Sequence, residues 1–181
     1  MAAAAIAAIL LATHPAAEWE TVLLFLNRVP FGETDPIFGH DFGFFIFTLP
    51  VIELLRVWFL AALLAIAMIV AVLYYLTDSL RGIQFRLRGQ ARVQLALLGA
   101  ALFVLIAAGH WLGRYELLYS PTGAVYGVGY TDSVINLPGR AVLTLIALVT
   151  AGFLAVGAFR PASQRLLVWP VVGWLAATLL I

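Results

Sequence analysis

The stretch VWFLAALLAIAMIVAVLYYL, Val57 to Leu76, runs without a single charged residue. A hydrocarbon layer about 30 Å thick needs roughly 20 apolar residues at 1.5 Å rise each, so this stretch alone reads as a membrane crossing. Working backward, the apolar pattern extends to Leu49 and takes in Glu53 and Arg56 near its start. The same criterion picks out Val93 to Leu112 and Ala141 to Phe159, and the apolar run Leu166 to Ile181 is a shorter fourth candidate. The expected fold class is all-α: a polytopic transmembrane helix bundle with spans at 49–76, 93–112, 141–159 and 166–181.

Composition agrees with that reading. Of 181 residues, 64% are hydrophobic and 10% charged, against about 25% charged in ordinary soluble domains. The cations are all Arg, and the net charge is +1, without the basic excess that nucleic-acid binding requires. With zero Cys there are no disulfides, thiolate metal sites or Cys nucleophiles. Ser79, Ser120, Ser133 and Ser163 sit in no motif with a base, so no catalytic constellation is expected and the chain does not read as an enzyme. Gly127-Val128-Gly129 lacks the full glycine pattern of a phosphate-binding loop and the strand-turn-helix setting that would support it.

The arginines orient the chain, because short cytoplasmic loops are enriched in Lys and Arg. Arg81, Arg86, Arg88 and Arg92 face the single Asp78 in segment 77–92, and segment 160–165 holds Arg160 and Arg165 with no acid. Both are expected in the cytoplasm. Segment 14–48 carries Glu18, Glu20, Glu33, Asp35 and Asp41 against Arg28, and segment 113–139 is nearly balanced, so both are expected outside.

Segment 14–48 is expected to be an external interfacial element. His14-Pro15 resembles a helix start, with Glu18 and Glu20 near the positive end of the helix dipole. Trp19 to Arg28 should be an amphipathic helix lying in the interface, ended by turns at Pro30, Gly32, Pro36 and Gly39. The aromatic run Phe38, Phe42, Phe44, Phe45 and Phe47 then reads as an anchoring belt, or as a re-entrant segment lining a site. In the second external loop, 124–130 alternates large and small residues and suggests extended chain.

Four elements occur in one order: WETVLLFLN at 19–27, DPIFGHDFGFFIFTLP at 35–50, RYELLYS at 114–120 and GYTD at 129–132. Together they resemble uncharacterised protein family number 0182, a group of large bacterial membrane proteins. The resemblance implies a several-span membrane region followed by a large domain outside the membrane, and this chain resembles only the central and later spans. It supplies no reaction, ligand or catalytic residue. Segment 1–13, at about 18 Å, is too short to cross, and the closing run stops on Leu180-Ile181 without a polar cap. A fragment of a longer protein is therefore expected, with a secretory signal peptide as the competing reading of the start, although no Lys or Arg precedes Arg28.

Ionisable groups in a membrane are functional candidates by default, since each costs roughly 2.5 to 3.5 kcal/mol at a helix centre on insertion scales. Glu53 and Arg56, three apart near the outer end of their helix, should pair on one face. The alternative is a polar outward-facing cavity that also uses Arg114, Glu116, Asp132 and Arg140. No acid or base falls mid-span, which argues against ion-coupled transport by these helices alone. His14 and His40 lack a second ligand at metal spacing, so no metal site is expected. His110, between Gly109 and Trp111, is the candidate ligand for a haem or pigment, with a hydrogen-bonded anchor as its plainer role. Small residues four apart, Ala61/Ala65, Ala96/Ala100, Ala151/Ala155 and Gly173/Ala177, should let helices approach closely. Pro170 should kink or bend the last span. The expected role is a structural, accessory or scaffold component of a larger membrane assembly, partnered by lipid and by other membrane subunits or missing parts of its own chain. A transporter or lipid-handling protein and a pigment-bearing accessory subunit are the alternatives.

Overall fold

A computed structural model describes residues 18–80, 89–119, 127–160 and 165–180. The readings placed on 1–13, on His14-Pro15, on 81–88, on 124–126 and on 161–164 lie outside the described residues. Five α-helices follow in order: α1 (Trp19–Leu26), α2 (Leu49–Leu80), α3 (Gly89–Glu116), α4 (Leu137–Phe159) and α5 (Arg165–Leu180). No strand occurs among the described residues, and the all-α class holds. Three stretches, Phe44–Leu80, Gly89–Glu116 and Asp132–Phe159, are long and apolar enough to cross a membrane, while Leu167–Leu180 is a shorter apolar helix.

The helices overrun the apolar stretches that announce them. Helix α3 starts at Gly89 and ends at Glu116, because Gln90, Arg92, Arg114 and Tyr115 keep helical backbone after the apolar run has ended. At 1.5 Å per residue its 28 residues span about 42 Å. Helices α2 and α4 are each preceded by a π-helical turn, Phe44–Thr48 and Asp132–Asn136. Each turn runs directly into a Leu-Pro pair, Leu49-Pro50 and Leu137-Pro138. A proline has no N–H and its ring crowds the carbonyl four residues back. Widening the register relieves this: Leu49 N–H bonds back to Phe44 O, and Leu137 N–H to Asp132 O.

The chain divides into two compact units, Met1–Ala62 and Leu63–Ile181, with the division falling inside α2. In the first unit, α1 closes on Asn27, whose backbone and side-chain N–H groups both donate to Leu23 O, at 3.1 and 2.9 Å. None of its residues is buried, and Trp19, Leu23, Leu24 and Leu26 are exposed. A tight double turn follows, in which Thr34 and Asp41 form an antiparallel bridge. Gly32 and Gly39 take φ of +78° and +69°, so the expected turns are built on left-handed glycines.

In the second unit, α3 and α4 run antiparallel with α5 packed on α4. The core is a stripe from each helix, Ala100, Phe103 and Ala107 against Ala147, Ala151 and Leu154. Spacings of four and three keep each stripe on one face, and alanine lets the backbones close on each other. The small pair Ala96/Ala100 is buried, and of Ala151/Ala155 the first is buried and the second packs against the core. Ala61 and Gly173 are exposed, so those two pairs make no close helix contact among the described residues. From α5, Leu167, Val171 and Trp174 cover this core, with the Trp174 ring edge-on to Phe103 at 5.2 Å. Thr150, 1% exposed, donates through Oγ1 to Ile146 O at 2.8 Å and reaches the Pro170 carbonyl at 3.2 Å. Pro170 is accommodated inside α5.

Candidate functional site

Charged groups concentrate at helix ends. In the first unit, Arg56 Nε donates to Glu53 Oε2 at 2.8 Å, and Nη2 donates to Oε1 to complete a fork. The i,i+3 pair anticipated from spacing is therefore formed, and a two-pronged guanidinium–carboxylate contact is the strongest arrangement these groups can make.

Two aspartates hold the preceding turn without any ion pair. Asp35, 5% exposed, accepts the N–H groups of Ile37 and Phe38 at 3.0 and 2.6 Å. The Asp41 carboxylate accepts three, from Phe31 at 3.1 Å, Gly32 at 2.8 Å and Gly43 at 2.6 Å. Those bonds hold the Asp41 carboxyl below the usual carboxylate range, with Phe31 the largest influence, Gly43 and Gly32 adding to it, and burial opposing. A side chain at Gly43 has no room, because a Cβ there would lie 2.8 Å from Asp41 Oδ1 and 2.9 Å from Val29 O. His40 lies in the same turn with its ring 4.6 Å from that of Phe44. The motif DPIFGHDFG is thus a self-contained carboxylate-nucleated turn that delivers the aromatic run into α2.

In the second unit, four of the expected cavity residues lie where α3 ends and α4 begins. Arg140 Nη1 is 3.7 Å from Glu116 Oε2 and lies directly on Gly113, where a Cβ would come within 1.7 Å of it. Asp132 is 8% exposed and accepts Gly129 N–H at 3.1 Å and Asn136 Nδ2–H at 2.7 Å, which fixes the GYTD element at the head of the π turn. Arg114 stacks over the Trp111 ring at 4.3 Å, a cation–π contact. Glu53 and Arg56 belong to the other unit, so the expected cavity is described as two separate sets.

His110 faces the bundle: its ring is 6.2 Å from that of Trp174, and Nε2 has essentially no accessible surface. A haem or pigment would reach Nε2 only if this packing opened. Among the described residues no group of three His, Cys, Asp or Glu could hold a metal ion.

A further polar residue is invisible to loop-charge counting. Arg92 is 6% exposed, and its Nη2 donates to Gly157 O at 2.7 Å, in the last turn of α4, and to the carbonyl of Arg160, the residue that follows the helix. Those carbonyls form the negative end of the helix dipole, so a guanidinium is the natural cap. Arg92 also lines a cavity of about 730 Å³ with Tyr74, Gly89, Gln90, Val93, Gln94, Leu97, Ala158 and Phe159. Tyr74 OH donates to Gln94 Oε1 at 2.9 Å on its wall. A second cavity of about 630 Å³ lies between α4 and α5, and its lining is apolar apart from Thr150 and the Trp169 edge.

Among the described residues these features define a helical protein whose three long apolar helices have the length and composition of membrane spans. The chain belongs to the Uncharacterised protein family (UPF0182), whose model matches residues 1–181. A UPF0182 protein of Synechococcus sp. (strain JA-3-3Ab) is 44% identical over 141 residues, covering 76% of this chain and 17% of the relative. One of Trichlorobacter lovleyi is 40% identical over 162 residues, 87% of this chain and 18% of the relative. One of Kineococcus radiotolerans is 44% identical over 160 residues, 86% of this chain and 15% of the relative. The chain thus spans under a fifth of the length of each of these proteins. No solved structure matches it.

Proposed function

We propose that this chain is a structural membrane module, a set of spans that scaffolds the rest of a longer protein within a bacterial inner membrane. In this reading 77–92 and 160–165 face the cytoplasm and 14–48 and 113–139 lie outside. The observation that carries it is the layer Ala100, Ala107, Ala147 and Ala151, from 0% to 8% exposed, which fills the middle of α3 and α4 with small apolar residues. A permeation path needs polar or hydrated groups at that depth, and the charged groups lie instead at the helix ends. A second observation supports a scaffolding role. The most apolar window of the Phe44–Leu80 stretch has no buried residue, which leaves its surface for lipid or for other spans of the longer protein.

The test is flux. The full-length protein reconstituted in liposomes should leave proton and small-ion permeability at the level of protein-free vesicles, and selective, saturable flux would instead support the transport reading. Orientation is checked separately, since the chain has no native Cys: a Cys replacing Arg86 should be shielded from impermeant maleimide in intact cells.

A further inference from the structure

We propose that the cavity between the end of α2, the start of α3 and the end of α4 binds the phosphate headgroup of an anionic phospholipid, with Arg92 as its counter-charge. The inference rests on the membrane reading above but not on the scaffolding role.

The starting point is an electrostatic imbalance. A guanidinium as buried as Arg92 needs compensation, because a buried unpaired charge is strongly disfavoured. Its partners Gly157 O and Arg160 O are dipolar, and a helix C-terminus amounts to about half a negative charge. Arg92 Nε has no hydrogen-bond partner among the described residues and essentially no accessible surface, so Arg92 acts on the cavity through its charge and not as an Nε donor, and no carboxylate lies within ion-pair range of it among those residues. Nor does the neighbouring sequence supply one. Segments 81–91 and 157–166 contain no acid, so Asp78 is the single carboxylate at this end, against Arg81, Arg86, Arg88, Arg92, Arg160 and Arg165. The carbonyls balance the guanidinium only in part, and an anion seated in the cavity would supply the rest.

The cavity lining selects the kind of anion. Gln90 and Gln94 give amide N–H₂ groups suited to phosphoryl oxygens, that of Gln94 being left to donate because the Tyr74 O–H occupies its Oε1, and Arg92 adds positive charge to the lining. Val93, Leu97, Ala158 and Phe159 form an apolar wall beside them. A free phosphate gains nothing from such a wall, whereas a phospholipid places its glycerol and first acyl carbons there. The volume, about 730 Å³, is that of a small-molecule site. Basic pockets between spans on the cytoplasmic side are where anionic headgroups bind, and Arg92 belongs to the arginine-rich end assigned to the cytoplasm.

The experiment is native mass spectrometry of the full-length protein in neutral detergent, titrated with phosphatidylglycerol, phosphatidylcholine or inorganic phosphate. One Lys or Arg near an anionic surface is worth about fivefold in binding, so phosphatidylglycerol should bind at least about fivefold more tightly than phosphatidylcholine. Because Arg92→Gln also removes the α4 cap, the decisive variant is Gln94→Glu. It keeps an acceptor for Tyr74 and adds a carboxylate to the wall, so the preference should fall to within about twofold. Equal binding of the two lipids, or an undiminished preference in Gln94→Glu, overturns the proposal. Inorganic phosphate that binds alone and competes with phosphatidylglycerol at millimolar concentration assigns the site to a soluble anion and overturns the lipid source.

Discussion

Arg92 at the start of α3 donates through Nη2 to the carbonyl oxygen of Gly157 at the end of α4, across 2.7 Å and 65 positions of sequence. One guanidinium thereby caps α4 and ties two antiparallel helices at the same end. Removing it leaves the last carbonyls of α4 without that donor. Hydrogen bonds from charged groups contribute roughly 1.5 to 3 kcal/mol, so Arg92→Ala should destabilise by about that much. Thermal unfolding of the full-length protein in detergent checks this, with Arg92→Lys expected to show a smaller loss than Arg92→Ala because an ammonium can still donate to one carbonyl.

The opposite end depends on a glycine. Gly113→Ala places a methyl group where Arg140 Nη1 now lies, so the guanidinium must leave and its approach to Glu116 is lost. Overpacking of this kind costs about 1 to 3 kcal/mol. In a double-mutant cycle, Arg140→Ala should recover most of the loss in the Gly113→Ala background, whereas additive effects would show that the two residues do not interact.

Ala147, 0% exposed, lies in the core that α3 and α4 share. Ala147→Leu should separate the helices and destabilise by about 1 to 3 kcal/mol or more. Leu148, the next residue, is 45% exposed, and Leu148→Val should stay within about 0.5 kcal/mol. The same unfolding measurement compares the two, and equal effects would contradict the packing described.

Much of this arrangement is legible in the residues. Apolar runs locate every long helix, the i,i+3 spacing of Glu53 and Arg56 forecasts their fork, and alanines four apart on α3 and α4 mark the contact that forms. Three features are not legible, each for a physical reason. The π turns arise because Pro50 and Pro138 reject the α register, which shifts each helical stretch to begin before its apolar run. Arg92 counts as one more positive loop charge until the fold brings Gly157 and Arg160 to it. Alanine spacing on α2 looks the same as on α3, and only packing separates them. The expected polar cavity is in part a set of local pairings: Asp132 bonds to Gly129 and Asn136, and Arg114 stacks on Trp111.

Asp41 gives the first unit a pH dependence. Its carboxyl is held below the ordinary range in the folded turn, so its contribution is complete above the unfolded value near 3.9 and is lost as pH falls through the lowered folded value. Hydrogen exchange of the Phe31, Gly32 and Gly43 amides should therefore show protection, corrected for intrinsic rates, that holds from pH 7 to 5 and declines below about pH 4. Asp41→Asn should lower that protection at neutral pH and flatten its pH dependence. Protection that rises on acidification would contradict the assignment.

In the proposed function α3, α4 and α5 form a closed, small-residue packed bundle serving as a scaffold inside a longer protein. An experimental structure of the full-length protein in a lipid nanodisc is the decisive measurement. Ala100, Ala107, Ala147 and Ala151 should be in contact there, with Arg92 on the end of α4 and the apolar surface of α2 covered by other spans or by lipid. A continuous water-filled polar passage through the middle of α3 and α4 would contradict it.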